Sequence, residues 1–295
     1  MDINIIQKAN VSARQIQDVN ALFSLCNHVD NTKYVFDNDS DFKEENDINT
    51  FLLYAGEDLV SVINIFAPTK KEAEIIALSK PEKRKNGYFN ILHGAAEKEL
   101  FRRGIPSILF VCDVNSADGN AVVRHLGSEY EYSEHLMSYK QRETKNPDIN
   151  AKIRLHRARY GDVDTLVKIN SSAFNGSTTE SRELIKDFFN SDRRRLYSIS
   201  YENIIIGMIG IYKETSRHYI HGFCIDPEYQ GRGIGRYSLA KTVDICLEED
   251  KDARIELEVQ TNNVHALNLY KNAGFGVETE FKYYRSGIAV PEKQI

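Results

Sequence analysis

The sequence predicts a mixed α/β protein of the α+β kind, made of two tandem domains, each a mostly antiparallel sheet flanked by helices. The length of 295 residues is about twice the size of a common domain, taken as roughly 150 residues. The chain also resembles itself. LSKPEKRKNGYFNI, residues 78–91, lies over CIDPEYQGRGIGRY, residues 224–237, so that Gly87 falls on Gly233 at an offset of 146. Further on, DVNSADGNAVVRHLGSEYE lies over QTNNVHALNLYKNAGFGVE, and Gly127 falls on Gly274 at an offset of 147. Two blocks in the same order at nearly one offset indicate a duplicated domain. The third observation is the mixed order of strand-like and helix-like segments within each half.

In the second half, KIRLHRA (152–158) alternates as a strand does. A helix follows Asp162, an N-cap residue type, with Val163, Leu166, Val167 and Ile169 at helical spacings. A second helical stretch covers roughly Thr179 to Phe189. Strands are expected at RLYSISY, IIIGMIGIY and HYIHGFCI. Leu239, Val243, Cys246 and Leu247 then mark a helix of about three turns. RIELEVQ reads as a strand, NVHALNLYKNA as a helix stopped by Gly274, and GVETEFKYY as the last strand. The polar stretch QRETKNPDINA is the seam, since Asn-Pro interrupts regular structure. The expected boundaries are a first domain over 1–141, a linker over 142–151 and a second domain over 152–295.

Composition excludes several classes. A net charge of −5 and a pI near 6.0 argue against nucleic acid or an anionic membrane as general partner. The basic run Arg193-Arg194-Arg195 reads as a solvated face at the start of a strand. The longest apolar run, Ile204 to Tyr212, falls short of the roughly 20 residues that span a bilayer. MDINIIQKAN has no basic stretch leading into an apolar one, so no signal peptide is expected. Cys26, Cys112, Cys224 and Cys246 are far apart with no CxxC, which fits a reduced, cytoplasmic protein and gives no metal site.

The chemistry concentrates in FCIDPEYQGRGIGRYSLAK, residues 223–241. A strand running through a glycine-rich turn into a helix presents bare amide N–H groups at the positive end of the helix. That is an anion site suited to phosphate or diphosphate. Gly231, Gly233 and Gly235 let oxygens approach the backbone, and Arg232 and Arg236 add charge. The spacing is GxGxG, and the turn follows several strands, which speaks against a nicotinamide dinucleotide.

The segment DPEYQGRGIG, with Gln230, Gly233 and Gly235 on a Q/RxxGxG/A pattern, resembles the acetyl-CoA loop of the GNAT superfamily of N-acetyltransferases. LEVQTNNVHALNLYKNAGF is similar to that family's second signature, an Asn followed by AxxLYxxxGF. Together they cover about 55 residues. The resemblance implies two tandem GNAT-like domains and acetyl-CoA as the cofactor. It implies that the main chain of Phe223, Cys224 and Ile225 pairs with the pantetheine arm. Peptide N–H groups from Gln230 through Gly231, Arg232, Gly233, Ile234 and Gly235 to Arg236 hold the diphosphate, and the Asn263 side chain bonds the cofactor. By periodicity alone, Phe223 and Ile225 are sheet core, a role compatible with main-chain contacts.

Tyr270 falls on an apolar helical stripe and reads by spacing as a core tyrosine. The resemblance implies instead a general acid facing the thioester sulfur. A phenol near pKa 10 protonating a thiolate near 8.5 runs uphill by about 2 kcal/mol, which leaves hydrogen-bond donation to the thiolate as a further role. Glu258 alternates with Leu257 and Val259, as a solvated carboxylate like Glu256 would. Its spacing to Asn263 and Tyr270 is similar to that of the general base in ribosomal-protein N-terminal alanine acetyltransferases. A base is needed because a protonated amine cannot attack a thioester. His218 and His221 are strand residues that have the chemistry of a proton shuttle. Cys224 has no readable His partner and is not expected to be a nucleophile.

The first half departs from the pattern. Phe89 stands where Gly235 stands, Val123 replaces Tyr270, and Ser128 replaces Phe275. It reads as a degenerate copy, with Phe89 obstructing the approach of a diphosphate. The expected function is acetyl transfer to a primary amine on a small molecule or peptide, with the active site in the second domain. The alternative is a non-catalytic acyl-CoA sensor or partner-docking module. The acceptor pocket carries no readable motif.

Overall fold

A computed structural model describes residues 3–8, 10–36, 46–140, 152–174, 176–214 and 216–288; the expected linker lies outside them. The chain divides into two compact units, Met1–Glu134 with Thr279–Ile295, and His135–Glu278. The first half runs β1 (Ile3–Lys8), α1 (Ala13–Asp30), β2 (Thr50–Ala55), β3 (Asp58–Phe66), β4 (Ala73–Ser79), α2 (Tyr88–Arg102), β5 (Ser107–Asp113), α3 (Ala117–His125) and β6 (Glu129–Tyr139). The second runs β7 (Ile153–Arg157), α4 (Val163–Phe174), α5 (Thr178–Asn190), β8 (Arg194–Tyr201), β9 (Ile204–Lys213), β10 (Arg217–Ile225), α6 (Ile234–Glu249), β11 (Arg254–Gln260), α7 (Val264–Asn272) and β12 (Phe275–Gly287). This is the expected order, repeated, with α1 standing among the described residues where the second half has α4 and α5.

The units differ from the expected contiguous halves in two respects, the first being that β6 from His135 onward belongs to the second unit, with Met137 in its core. From Phe281↔Asp113 to Gly287↔Ser107, β12 pairs antiparallel with β5, which makes the end of the chain part of the first unit's sheet. In that unit β1, β2, β3 and β4 form an antiparallel run, and β5 joins β4 in parallel. In the second unit β7, β8, β9 and β10 are antiparallel, and β11 joins β10 in parallel.

The second unit's sheet is covered on both faces. On one, Ile220, Ile225 and Leu257 pack against Leu239 and Val243 of α6 and Tyr270 of α7. On the other, Met208 and Cys224 pack against Leu166 of α4 and Ile185 and Phe188 of α5. Burial on both sides explains why β9 reads as an unbroken apolar run. Helix α6 exceeds the expected three turns because Ser238 and Thr242 are buried in it, the Thr242 hydroxyl donating to the Ser238 carbonyl at 2.9 Å. Polar residues at buried positions had masked the helical period.

Two surface readings are corrected. Arg194 is buried, its guanidinium 4.8 Å from the Tyr212 ring centre, and Arg195 pairs with Glu249, leaving Arg193 as the exposed member of the run. Glu256 is not solvated: it is 1% exposed, 2.5 Å from Arg217 and 2.6 Å from Arg254. Two arginines compensate the desolvation that the alternating pattern could not foresee.

Asp113 anchors the first unit. Fully buried at the end of β5, it accepts from the Lys33 N–H (3.0 Å), the Asn115 N–H (2.9 Å) and the Thr279 hydroxyl (2.9 Å). Replacing it leaves three donors, the buried Thr279 hydroxyl among them, without this acceptor. Asp113→Ala is expected to destabilise the protein by about 3 kcal/mol in urea denaturation, against roughly 1 kcal/mol for loss of a single ordinary hydrogen bond.

Candidate active site

The parallel pairing of β10 with β11 runs from Arg217↔Arg254 to Ile220↔Leu257 and stops. Between His221 and Cys224 the pairing with β9 slips by a bulge, with Gly222 at φ +60°. Beyond it, Cys224↔Met208 and Ile225↔Gly207 keep β10 on β9. The end of β10 is therefore held on one side and released on the other, which exposes its main-chain polar groups to a ligand. Glycine on β9 permits this. A Cβ on Gly207 would meet the Cys224 carbonyl oxygen at 2.5 Å, and one on Gly210 would meet the Phe188 ring at 2.5 Å and the His221 carbonyl oxygen at 3.0 Å.

The glycine-rich turn follows. Asp226 caps a 3₁₀ turn, Pro227–Tyr229, by accepting from the Glu228 N–H at 3.0 Å. The Gln230 Nε2 donates to the Ile225 carbonyl at 2.9 Å and ties the turn to the strand. Gly231 and Gly233 take φ of +75° and +78°, the left-handed region that glycine enters without strain, and both open onto empty space. Gly233 is the N-cap of α6, with no side-chain cap and no acidic residue in the first turn. The N–H groups of Ile234, Gly235 and Arg236 thus have no intrahelical acceptor. They face the same cleft as the released strand end.

That cleft, about 480 Å³, is lined by Phe223, Cys224, Ile225, Gln230, Gly231, Gly233, Ile234, Gly235, Arg236, Asn263 and Tyr270, with Ala173 and Phe174 at the end of α4. It gathers every expected cofactor residue except Arg232. The Arg232 guanidinium turns to the Glu228 carbonyl (2.9 Å) and the Tyr229 ring (5.1 Å). Asn263 caps α7, its Oδ1 accepting from the Ala266 N–H at 3.1 Å, so its Nδ2 is the group it offers a ligand. His265, Leu269 and Phe174 also line the cleft, and sequence reasoning missed them; only their place beside the two motifs pointed to them.

Tyr270 is buried, and burial raises its phenol to about 12. Glu258 does not join Tyr270 in the cleft. It is half-buried on β11, opposite in strand alternation to Leu257 and Val259, which pack in the Tyr270 core. The histidines are poor bases. Burial, reinforced by Arg194, lowers His221 to about 3, and its buried Nε2 has no hydrogen-bond partner among the described residues. Burial likewise lowers His218. Burial pushes the Cys224 thiol up to about 12, which removes it as a nucleophile at neutral pH. Among the described residues no group of His, Cys, Asp and Glu is placed to hold a metal.

The Acetyltransferase (GNAT) family profile matches residues 163–275, the stretch that builds this cleft. The spermine/spermidine N(1)-acetyltransferase of Bacillus subtilis is 30% identical over 152 residues, covering 49% of this chain and 98% of that protein. The chain belongs to the GNAT acetyltransferase family. It is an acetyltransferase, and enzymes of this family use acetyl-CoA. The N-alpha-acetyltransferase RimI of Mycobacterium tuberculosis is 42% identical over 67 residues, 22% of this GNAT chain and 40% of that one. Two solved structures share the fold of the whole chain. A GCN5-related N-acetyltransferase from Sphaerobacter thermophilus has a TM-score of 0.75 at 14% identity, covering 97% of this chain and 96% of its own. A tandem GNAT protein from the clavulanic acid biosynthesis pathway has a TM-score of 0.73 at 12% identity, covering 99% and 100%. The fold is therefore that of a tandem GNAT protein.

Gly207→Ala tests the role of the close approach between β9 and β10. The Cβ would displace the Cys224 carbonyl, at a cost of about 1–3 kcal/mol in thermal or urea unfolding. A change below about 0.5 kcal/mol, the range of an ordinary surface substitution, would show that the strand end is not held by this contact.

Proposed function

We propose that the second unit transfers acetyl from acetyl-CoA to a primary amine. The carrying observation is one cleft that joins a released strand end, an uncapped helix start opened by two left-handed glycines, and a buried tyrosine. The open space at Gly231 and Gly233 fits a diphosphate, and the β10 end fits an extended amide-bearing arm. Phe223, Cys224 and Ile225 would hold the arm by main chain, peptide N–H groups from Gln230 to Arg236 the diphosphate, and Asn263 a polar group of the cofactor. Arg232 would contribute through its peptide N–H. Bound acetyl-CoA supplies an activated acetyl thioester.

Within this reading, main-chain N–H groups at the β10 end polarise the carbonyl to be attacked. Tyr270 keeps its proton at all working pH values, because its pKa is raised to about 12. Complete transfer to a thiolate near 8.5 would run uphill by about 5 kcal/mol. The tyrosine therefore acts as a hydrogen-bond donor to the departing sulfur, and any full proton transfer is drawn by later protonation from solvent. Glu258 accepts the proton of the incoming ammonium, through water, from the face of the sheet opposite the cleft. The end of the β10–β11 pairing leaves a gap in the sheet for the amine to reach through. With His218 and His221 held neutral and Cys224 protonated, Glu258 is the carboxylate best placed for this.

The relatives' names favour an acceptor with a free primary amine, whether a polyamine or a peptide α-amine, and the two differ in the work asked of the base. An α-amine near pKa 8 is partly neutral at pH 7, whereas an aliphatic amine near 10.4 is almost wholly charged.

Tyr270→Phe is expected to lower kcat by about 10²–10⁴-fold with acetyl-CoA and an amine panel, while KM for acetyl-CoA changes little. A kcat within about twofold of wild type would remove the tyrosine from the mechanism. The wild-type kcat profile should show no loss from tyrosine ionisation below about pH 11, since the raised pKa keeps the phenol protonated there.

Glu258→Gln should reduce kcat by about 10²-fold or more at pH 7 and recover as pH approaches the amine's own pKa. A uniform loss at all pH values would assign Glu258 a structural part instead.

A further inference from the structure

The first unit holds a cleft of its own, about 630 Å³, larger than the one in the second unit. Its frame repeats the catalytic one. A 3₁₀ turn, Pro81–Lys83, leads from β4 as Pro227–Tyr229 leads from β10. Lys85 (φ +63°) takes the left-handed place of Gly231, and Gly87 (φ +79°) caps α2 as Gly233 caps α6, again with no side-chain cap. The Arg84 Nε donates to the Ser79 carbonyl at 3.1 Å, where Gln230 donates to Ile225. Across the cleft, Ser116 caps α3 where Asn263 caps α7.

Phe89, expected from sequence to obstruct a diphosphate, lines this cleft and leaves a cavity of about 630 Å³ beside it. Its ring stacks on His93 at 5.3 Å and packs with the unit's core. At the equivalent Gly235 a Cβ would meet Leu269 and Phe223 no closer than 3.5 Å, so the backbone there accepts a side chain's first carbon. What the first cleft lacks is chemistry. Val123, buried where Tyr270 stands, has no proton to give.

Charge and polarity define what fits. Ile75, Ala77, Tyr88, Phe110, Val122 and Leu126 make an apolar interior. At the mouth, Lys83 and Lys85 line the cleft together with the bare first turn of α2. Arg84 is held by Asp30 at 2.5 Å and Asp118 at 3.1 Å, and with Lys83 and Lys85 the cations of the lining outnumber these two carboxylates by one. Lys85 also stays in a backbone conformation that costs a non-glycine residue of order 1 kcal/mol, at the one turn position where its twin is glycine.

We propose that the first unit is a second binding site, for an elongated amphiphile with a phosphate-ester head, which it holds without turning over. The apolar body enters between Phe110 and Val122, and the phosphate meets Lys83, Lys85 and the α2 amides. The site is independent of the catalytic assignment in the second unit.

The test is hydrogen–deuterium exchange on the full chain, with coenzyme A and octyl phosphate as separate probes. Slowed exchange over residues 84–91 with either probe supports the proposal. Coenzyme A alone would point to a nucleotide-bearing thiol or its esters, and octyl phosphate alone to a lipid-like phosphate. The protection should persist in Gly233→Val, which strains only the second unit's turn. It should weaken about tenfold in apparent affinity in Lys83→Ala with Lys85→Gly, a pair that removes charge while relieving strain. It should vanish in Ala77→Phe, which fills the cavity. Protection confined to residues 230–237, or lost in Gly233→Val, overturns the proposal. So does protection at 84–91 that survives Ala77→Phe in a protein that still unfolds cooperatively.

Discussion

The second unit depends on one constraint: β10 must leave β11 while staying bonded to β9. A strand in the middle of a sheet normally spends its N–H and C=O groups on two neighbours, and nothing is left for a ligand. Here the bulge at residues 221–224 and the glycines at 207 and 210 let β10 keep one neighbour and abandon the other. The chain then passes through two left-handed glycines into α6 without a capping side chain. Both features create unpaired main-chain donors, and both open on the same cleft. A ligand rich in amide and phosphate acceptors answers each of them.

That economy of side chains explains why so much of the site was readable from sequence. A site built of main chain announces itself through what is missing, and three glycines in five residues between a strand and a helix are hard to explain otherwise. Gln230 was legible by pattern, and its role is mechanical: it fastens the turn to the strand that it follows. Element order in the second half was legible because α4 has a clear helical period and β9 is a short apolar run. The length of α6 was not, because Ser238 and Thr242 are buried yet leave no apolar mark, Thr242 bonding within the helix to the Ser238 carbonyl.

The failures share a cause. Glu256 and Arg194 looked solvated because charged residues in alternation usually are. Each is instead buried against a partner distant in sequence, Arg217 for one and Tyr212 for the other. Pairings across strands cannot be seen along a single strand. The pairing of β12 with β5 was hidden for the same reason, since self-similarity at a fixed offset shows that a domain was repeated and not which copy keeps the last strand. Glu258 illustrates the remaining limit. Spacing placed it near Asn263 and Tyr270, yet strand alternation turns it to the opposite face of the sheet.

On the functions proposed above, the duplication separates binding from chemistry within one chain. Both copies retain the left-handed turn, the uncapped helix start and the strand-to-turn tie, features that serve ligand binding by main chain. Only one copy retains the tyrosine. Lys85 sits in the left-handed region at a cost of about 1 kcal/mol, where its twin Gly231 sits without strain. That strained position lies at the mouth of the first unit's cavity, where the lysine brings a cation that glycine could not. On the two proposals made above, the copy with Val123 in place of the tyrosine and lysines at its turn serves to hold a ligand and the other copy to transform one.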